Sequence, residues 1–226
     1  MRAFATRTGD LSADAAALVL AAGQSLVDGT LADLADVRDA IAAVARRIPR
    51  PDLRWWPLAL DASLEIAAGR SSRASVAIEL AAREGRQANV EIAGPTAMVQ
   101  QLLLMRQDGG LGSVAGSLEH ISVVSASPAT ISAFGLACVQ VGEVGPIEDV
   151  AARLAAPGDL LNRAGIQWPY VAMSATEVAF ASGHGVLAAQ LEDRLAPYAG
   201  VGLTLHGVGY FGTVDRCLAL LAATRG

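Results

Sequence analysis

Lysine is missing from this 226-residue chain, so all 17 of its basic residues are arginine. The absence excludes every mechanism that needs a side-chain amine. A phosphate loop of the Walker type has no lysine to reach the terminal phosphates. A Schiff base to pyridoxal phosphate or to a carbonyl substrate cannot form. ATP is therefore expected neither to bind tightly nor to be hydrolysed.

Histidine and cysteine are almost as scarce, at three and two residues. With no Cys-x-x-Cys or His-x-x-x-His spacing, a structural zinc site is not expected. Cys138 and Cys217 each sit in an apolar segment and read as buried free thiols rather than a disulfide. Charged residues make up 17% of the chain, with a net charge of −5 and no run of one sign. A nucleic-acid surface would need clustered arginine. The densest cluster, Arg46, Arg47, Arg50 and Arg54, surrounds Pro49 and Pro51 and reads as a solvated turn. Long apolar runs are also lacking. Ala15 to Ala22 stops at Gly23, well short of the roughly 20 residues a membrane helix needs. No cationic leader with a cleavage site opens the chain, so the expectation is a cytoplasmic protein with neither membrane nor nucleic-acid partners.

What is present is a chain that is 53% hydrophobic, much of it alanine, as suits packed helices. Asp10 or Ser12 can cap a first helix, broken at Asp28-Gly29-Thr30. Leu34, Val37, Ile41 and Val44 form one apolar stripe of a second helix from about 31 to 47, ended by Pro49 and Pro51. Trp55 and Trp56 read as core or interface anchors, with a stacking platform as the rival. Helices follow at 58–67, 75–83 and 96–105, with an alternating strand at 88–93 and a loop at 109–116. From His120 the period changes. Segments 120–127, 130–135, 138–142, 168–174, 177–181 and 202–205 read as strands, and 147–164, 186–195 and 214–223 as helices, with Asp159 capping the second part of the first. The order from 138 to 205 is then βαββαβ, the ferredoxin-like unit. The expected fold is α+β: a helix-rich region over 1–116 and an α+β region over 117–226 built around that unit.

Two stretches also look like a weak internal repeat. Val139 to Leu154 and Leu203 to Leu218 each run strand, Val-Gly loop, then a helix with one internal arginine, Arg153 or Arg216. The second stretch resembles a dinucleotide fingerprint, Gly207-Val-Gly-Tyr-Phe-Gly212, but lacks the following strand and acidic residue, so a glycine loop closing a β–α corner is preferred. Ser182, His184 and Glu177 can be assembled on paper into a hydrolase triad, without the Gly-x-Ser-x-Gly elbow. Asp61 and Glu65, one helical turn apart, can be paired for acid–base work or read as a solvated helix edge. His206 reads as structural.

The run Val139-Gln-Val-Gly-Glu-Val-Gly145, Val150-Ala-Ala-Arg-Leu154, Asn162-Arg-Ala-Gly-Ile166 and Val171-Ala-Met-Ser-Ala-Thr-Glu177 resembles an ACT domain of an aspartokinase regulatory region. It covers residues 138 to 196. The corner asparagine of that family is replaced by Gln167, and Pro157-Gly158-Asp159 lengthens the first helix. A fainter likeness, Gly69-Arg-Ser-Ser-Arg-Ala-Ser75, lies upstream, while the kinase's lysine motif is absent. The resemblance implies a non-catalytic amino-acid-sensing or partner-regulating protein without cofactor or metal, paired into a homodimer through a continuous sheet. It places the ligand at Gly142, Glu143, Val144 and Gly145 and the helix start after them. Gln167, Ser174 and Thr176 would complete the site, with Glu143 or Asp149 meeting an amine. The alternative is a divergent enzyme of specialised metabolism on the same scaffold.

Overall fold

The computed structural model describes residues 10–157 and 160–226, and these are predominantly helical. Eleven α-helices and one two-stranded hairpin are present among the described residues. The chain forms two compact units, one of residues 1–104 with 204–210 and the other of residues 105–203 with 211–226.

The first unit contains α1 (Leu11–Val27), α2 (Leu31–Ala45), α3 (Pro51–Ala67), α4 (Ser71–Gln87) and most of α5 (Ala93–Asp108). The Asp10 carboxylate caps α1 by accepting from the Ser12 and Ala13 amides at 2.9 and 3.1 Å. Pro51 starts α3, where its fixed φ suits a first helical turn. Each of α1 to α4 packs against the next. Their shared core holds Leu18, Leu26, Leu34, Ile41, Leu60 and Trp55, whose indole is completely buried. The tryptophan pair is thus anchored by Trp55 in the core. A buried polar knot fixes one end of this core. Gln100 Nε2 donates to the Ala59 carbonyl at 2.8 Å and to Ser63 Oγ at 3.0 Å, and Ser63 Oγ donates to the Val208 carbonyl.

The second unit contains a 3₁₀ turn at Gly110–Val114, α6 (Ala115–Ser125), α7 (Pro128–Val141), α8 (Val144–Ala155), 3₁₀ turns over Leu160–Gln167, α9 (Trp168–Ser182), α10 (Gly185–Leu195) and α11 (Val214–Arg225). Ser127 caps α7 by accepting from the Thr130 amide at 3.2 Å, with Pro128 next to it. From α7 onward the helices stack in series: α7 touches α8 and α9, α8 touches α9 and α10, and α9 touches α10 and α11. Such nearest and next-nearest contact is the packing logic of helical-repeat architectures. Gly135 lies at a close approach of three helices of the stack. A Cβ there would fall 2.6 Å from Val150 Cγ1 of α8 and 2.7 Å from Val178 Cγ2 of α9.

The βαββαβ expectation is therefore wrong. Residues 120–125, 130–135 and 138–141 belong to α6 and α7, and both segments read as strands between 168 and 181 are one helix, α9. The physical reason is burial on nearly all sides. In α9, every residue from Tyr170 to Thr176 is buried, and α7 is buried from Ala129 to Cys138 but for the half-buried Thr130. A helix with no wet face loses its 3.6-residue periodicity and cannot be told by pattern from a buried strand; only its length separates the two. The expected strand at 88–93 is a turn leading into α5. Of the strands over 120–205 from which a sheet-paired dimer was expected, only β1 (Gly202–Leu205) is present among the described residues. The expected Asp159 cap lies outside the described residues.

Only 202–205 keeps its strand assignment. It forms β1 (Gly202–Leu205), paired with β2 (Gly209–Thr213), which the sequence did not announce. His206 and Gly207 both have positive φ, at 55° and 68°, and the Val208 amide donates to the Leu205 carbonyl at 3.1 Å. This is the two-residue hairpin geometry whose twist matches the flanking strands. The glycines of 207–212 hence serve a hairpin, not a β–α corner, and the two halves of the apparent repeat have different structures. Cys138 and Cys217 are both buried and free. No helix among the described residues is long and apolar enough to cross a membrane.

Gly135→Ala tests the packing node. Overpacking against two stiff valines costs about 1–3 kcal/mol, offset by up to about 1 kcal/mol of helix propensity. A lower urea midpoint is expected, whereas Gly145→Ala, whose Cβ meets open space, leaves the midpoint unchanged or raises it.

Candidate functional site

The second unit holds a cavity of about 370 Å³ lined by Arg106, Gln107, Leu111, Gln140, Glu177 and Arg216, among others. Five elements supply it: the end of α5, the 3₁₀ turn at Gly110–Val114, α7, α9 and α11. Glu177 is the centre of its charge. Its side chain is 14% exposed and lies between two guanidinium groups. Arg106 Nη2 donates to Oε1 and Arg106 Nε to Oε2 at 3.4 Å, a forked approach, while Arg216 Nη2 donates to Oε1 at 2.9 Å. Arginine suits this task because its planar, weakly hydrated head delivers several donors in a fixed fork. One carboxylate against two guanidiniums leaves one positive charge in excess.

The floor beneath is rigidly wired. Gln140 Nε2 donates to the Arg106 carbonyl at 2.8 Å, and Gln140 Oε1 accepts the Leu111 amide at 2.7 Å. One side chain thus ties α7 to the end of α5 and to the 3₁₀ turn. Tyr170 lies two turns before Glu177 on the same face of α9, 5.7 Å from Phe211 between ring centroids. Burial pushes its phenol up to about 12, against an opposing hydroxyl from Ser174, so it stays neutral.

None of the eight residues expected to form a ligand site lines this cavity. Gly142 ends α7 with a left-handed φ of 77°, and Glu143, Val144 and Gly145 pass into the first turn of α8. These four stay together at a helix junction, with a helix before them in place of the expected strand. Asp149 is exposed on α8 and borders a different depression, between α6 and α8. Gln167 is exposed at the start of α9. Ser174 and Thr176, expected at a strand turn, are completely buried within α9. Thr176 abuts Cys217, whose thiol is pushed up mainly by burial.

The paper triad does not assemble. Ser182 Oγ donates back to the Val178 carbonyl at 2.7 Å, His184 Nδ1 accepts the Leu187 amide at 3.1 Å as a helix cap, and Glu177 is held by its arginines. Asp61 pairs with Arg38 and Glu65 with Arg70. Burial raises the Asp61 carboxyl against the pull of Arg38, and the Arg70 hydrogen bond lowers Glu65. No group of three or more His, Cys, Asp or Glu side chains among the described residues is arranged to hold a metal. Arg216 carried a sequence signal, as the one arginine inside the helix expected over 214–223. Arg106 carried none, because its partner is 71 residues away.

No protein-family model, curated protein or solved structure matches this chain.

Two expectations test these placements. Replacing Glu177 by Ala leaves two facing guanidiniums without their shared acceptor and should lower stability by about 1–3 kcal/mol in urea titrations, the loss shrinking in Arg216→Ala, where only one remains. The second concerns His206, whose Nδ1 lies 3.3 Å from Thr96 Oγ1 and whose pKa burial lowers. The unfolded chain then takes up the proton first as pH falls. Stability held above about pH 6.5 is lost as pH drops toward the folded pKa. His206→Asn, which tolerates the left-handed turn, should flatten the fall in thermal midpoint between neutral and mildly acidic pH.

Proposed function

We propose that this chain is a non-catalytic binding protein that takes a small carboxylate, an α-amino acid in the first instance, at the Arg106–Glu177–Arg216 cavity. The observation that carries the reading is the single carboxylate shared by two guanidiniums at the wall of a cavity of about 370 Å³. The excess positive charge suits a ligand carboxylate through forked hydrogen bonds. Glu177 offers an acceptor to an ammonium group on the same molecule. The volume falls at the low end of the range of about 300–1,000 Å³ typical of small-molecule sites. The two donors stand on helices α5 and α11 and the acceptor on α9 rather than on loops, which keeps their spacing fixed. Binding in this reading means exchange of partners: the ligand carboxylate takes a guanidinium that Glu177 now shares.

A thermal-shift panel of the twenty amino acids together with simple dicarboxylates tests it. A ligand at 100 times its dissociation constant adds about 2.7 kcal/mol, which for a chain of this size raises the midpoint by about 5–10 °C. At least one compound should produce that rise, and Arg216→Ala should abolish it while the protein remains folded. A flat panel, or a rise that survives Arg216→Ala, overturns the reading.

A further inference from the structure

A second feature of the same unit stands apart from the arginine cavity. Helix α6 has the sequence Ala115-Gly-Ser-Leu-Glu-His-Ile-Ser-Val-Val-Ser125, yet Ser122 is its one buried residue. Val123 and Val124 stand 69% and 72% exposed, and Ile121 is also exposed. A helix that turns its valines outward and buries a serine has its apolar face on the wrong side for a surface helix. Beside it, α6 and α8 flank a groove of about 420 Å³ over Phe134 of α7. Val123, Phe134, Pro146 and Val150 supply its apolar lining, and Glu119 and Asp149 line it as well. Arg153 also lines the groove, but its Nη2 donates to the Ser122 carbonyl at 3.2 Å and so ties α8 to α6.

We propose that this groove docks a basic amphipathic helix of a partner protein. Its width is set by two helices with an aromatic floor, the geometry of helix-in-groove recognition, in which apolar anchors enter the cleft. The sign of the partner follows from charge complementarity. Glu119 and Asp149 make no ion pair among the described residues, and against Arg153 they leave the lining with one negative charge in excess. The acidic character extends beyond the cleft to Glu143, which with Glu119 adds to the burial that pushes the neighbouring Cys138 thiol up to about 11. A helix with leucine-like anchors on one face and arginine or lysine on its flanks meets both requirements. An acidic helix meets only the first.

The test uses the whole chain and two fluorescein-labelled probe peptides, an amphipathic helix with leucine on one face and arginine on the other, and the same helix with glutamate for arginine. Fluorescence anisotropy should show micromolar binding of the basic probe, weakened by salt, and none of the acidic probe. Val123→Asp and Asp149→Arg should each weaken the basic probe by about tenfold or more, while Asp36→Arg, exposed on α2, should not. Both groove positions are exposed, so the variants should keep the wild-type circular dichroism and melting midpoint. Equal binding of the two probes overturns the proposal, as does binding indifferent to both groove variants. Light scattering that finds a dimer dissolved by Val123→Asp also overturns it, by making a second copy of this chain the occupant.

Discussion

The close approach of three helices at Gly135 is the contact on which the rest of the second unit depends. With hydrogen in place of a side chain, α7 can settle against Val150 of α8 and Val178 of α9 at separations that no Cβ would permit. Each of these three residues has a neighbour in sequence that lines a cavity or groove. Phe134, before Gly135, floors the α6–α8 groove; Asp149, before Val150, lines it; and Glu177, before Val178, centres the arginine cavity. Side chains adjacent in a helix point about a hundred degrees apart, so one apolar contact can set features on different faces. The packing node and the polar features are therefore two views of one arrangement.

Around that node, the charges are arranged to suit arginine. The guanidinium keeps its proton under all ordinary conditions and delivers a planar fork of donors, so Arg106 and Arg216 can share one carboxylate without either being neutralised. Two ammonium groups in their place would each offer three rotatable donors on a compact charge, without the planar fork that matches a carboxylate. Elsewhere the same residue type takes structural work: Arg38 and Arg70 clamp Asp61 and Glu65 on α3, and Arg153 bridges α8 to the end of α6. Absence of lysine thus shapes the protein twice, by removing amine chemistry and by making forked, oriented pairs the common form of ionic contact.

Burial explains the internal helices in the same terms. In α7 and α9 small residues, alanine, glycine and serine, stand between larger ones, which lets neighbouring helices approach on several sides. The cost is that polar groups such as Ser174 and Thr176 are carried into the interior. Burial also drives upward the pKa values of Tyr170 and Cys217 beside them, against the opposing hydroxyls of Ser174 and Thr176.

Amphipathic stripes, caps and breakers were legible in the sequence, because they depend on residues a few positions apart. Asp10 before α1, the break at Asp28-Gly29-Thr30, the stripe of α2 and the α10 and α11 helices all follow from local spacing and local hydrogen bonds. The missing lysine likewise decided some chemistry outright. The identity of α6, α7 and α9 was not legible, since apolar residues on every side of a helix leave no period to read, and the ferredoxin-like unit expected there does not exist. Nor was the arginine cavity. Arg106, Glu177 and Arg216 are separated by 71 and 39 residues, and only the tertiary placement of the end of α5, α9 and α11 brings their side chains to one wall. Local propensity fixes where a helix starts and stops; which of its residues meet a distant charge is decided by packing, because that depends on the angle and depth at which whole helices come together.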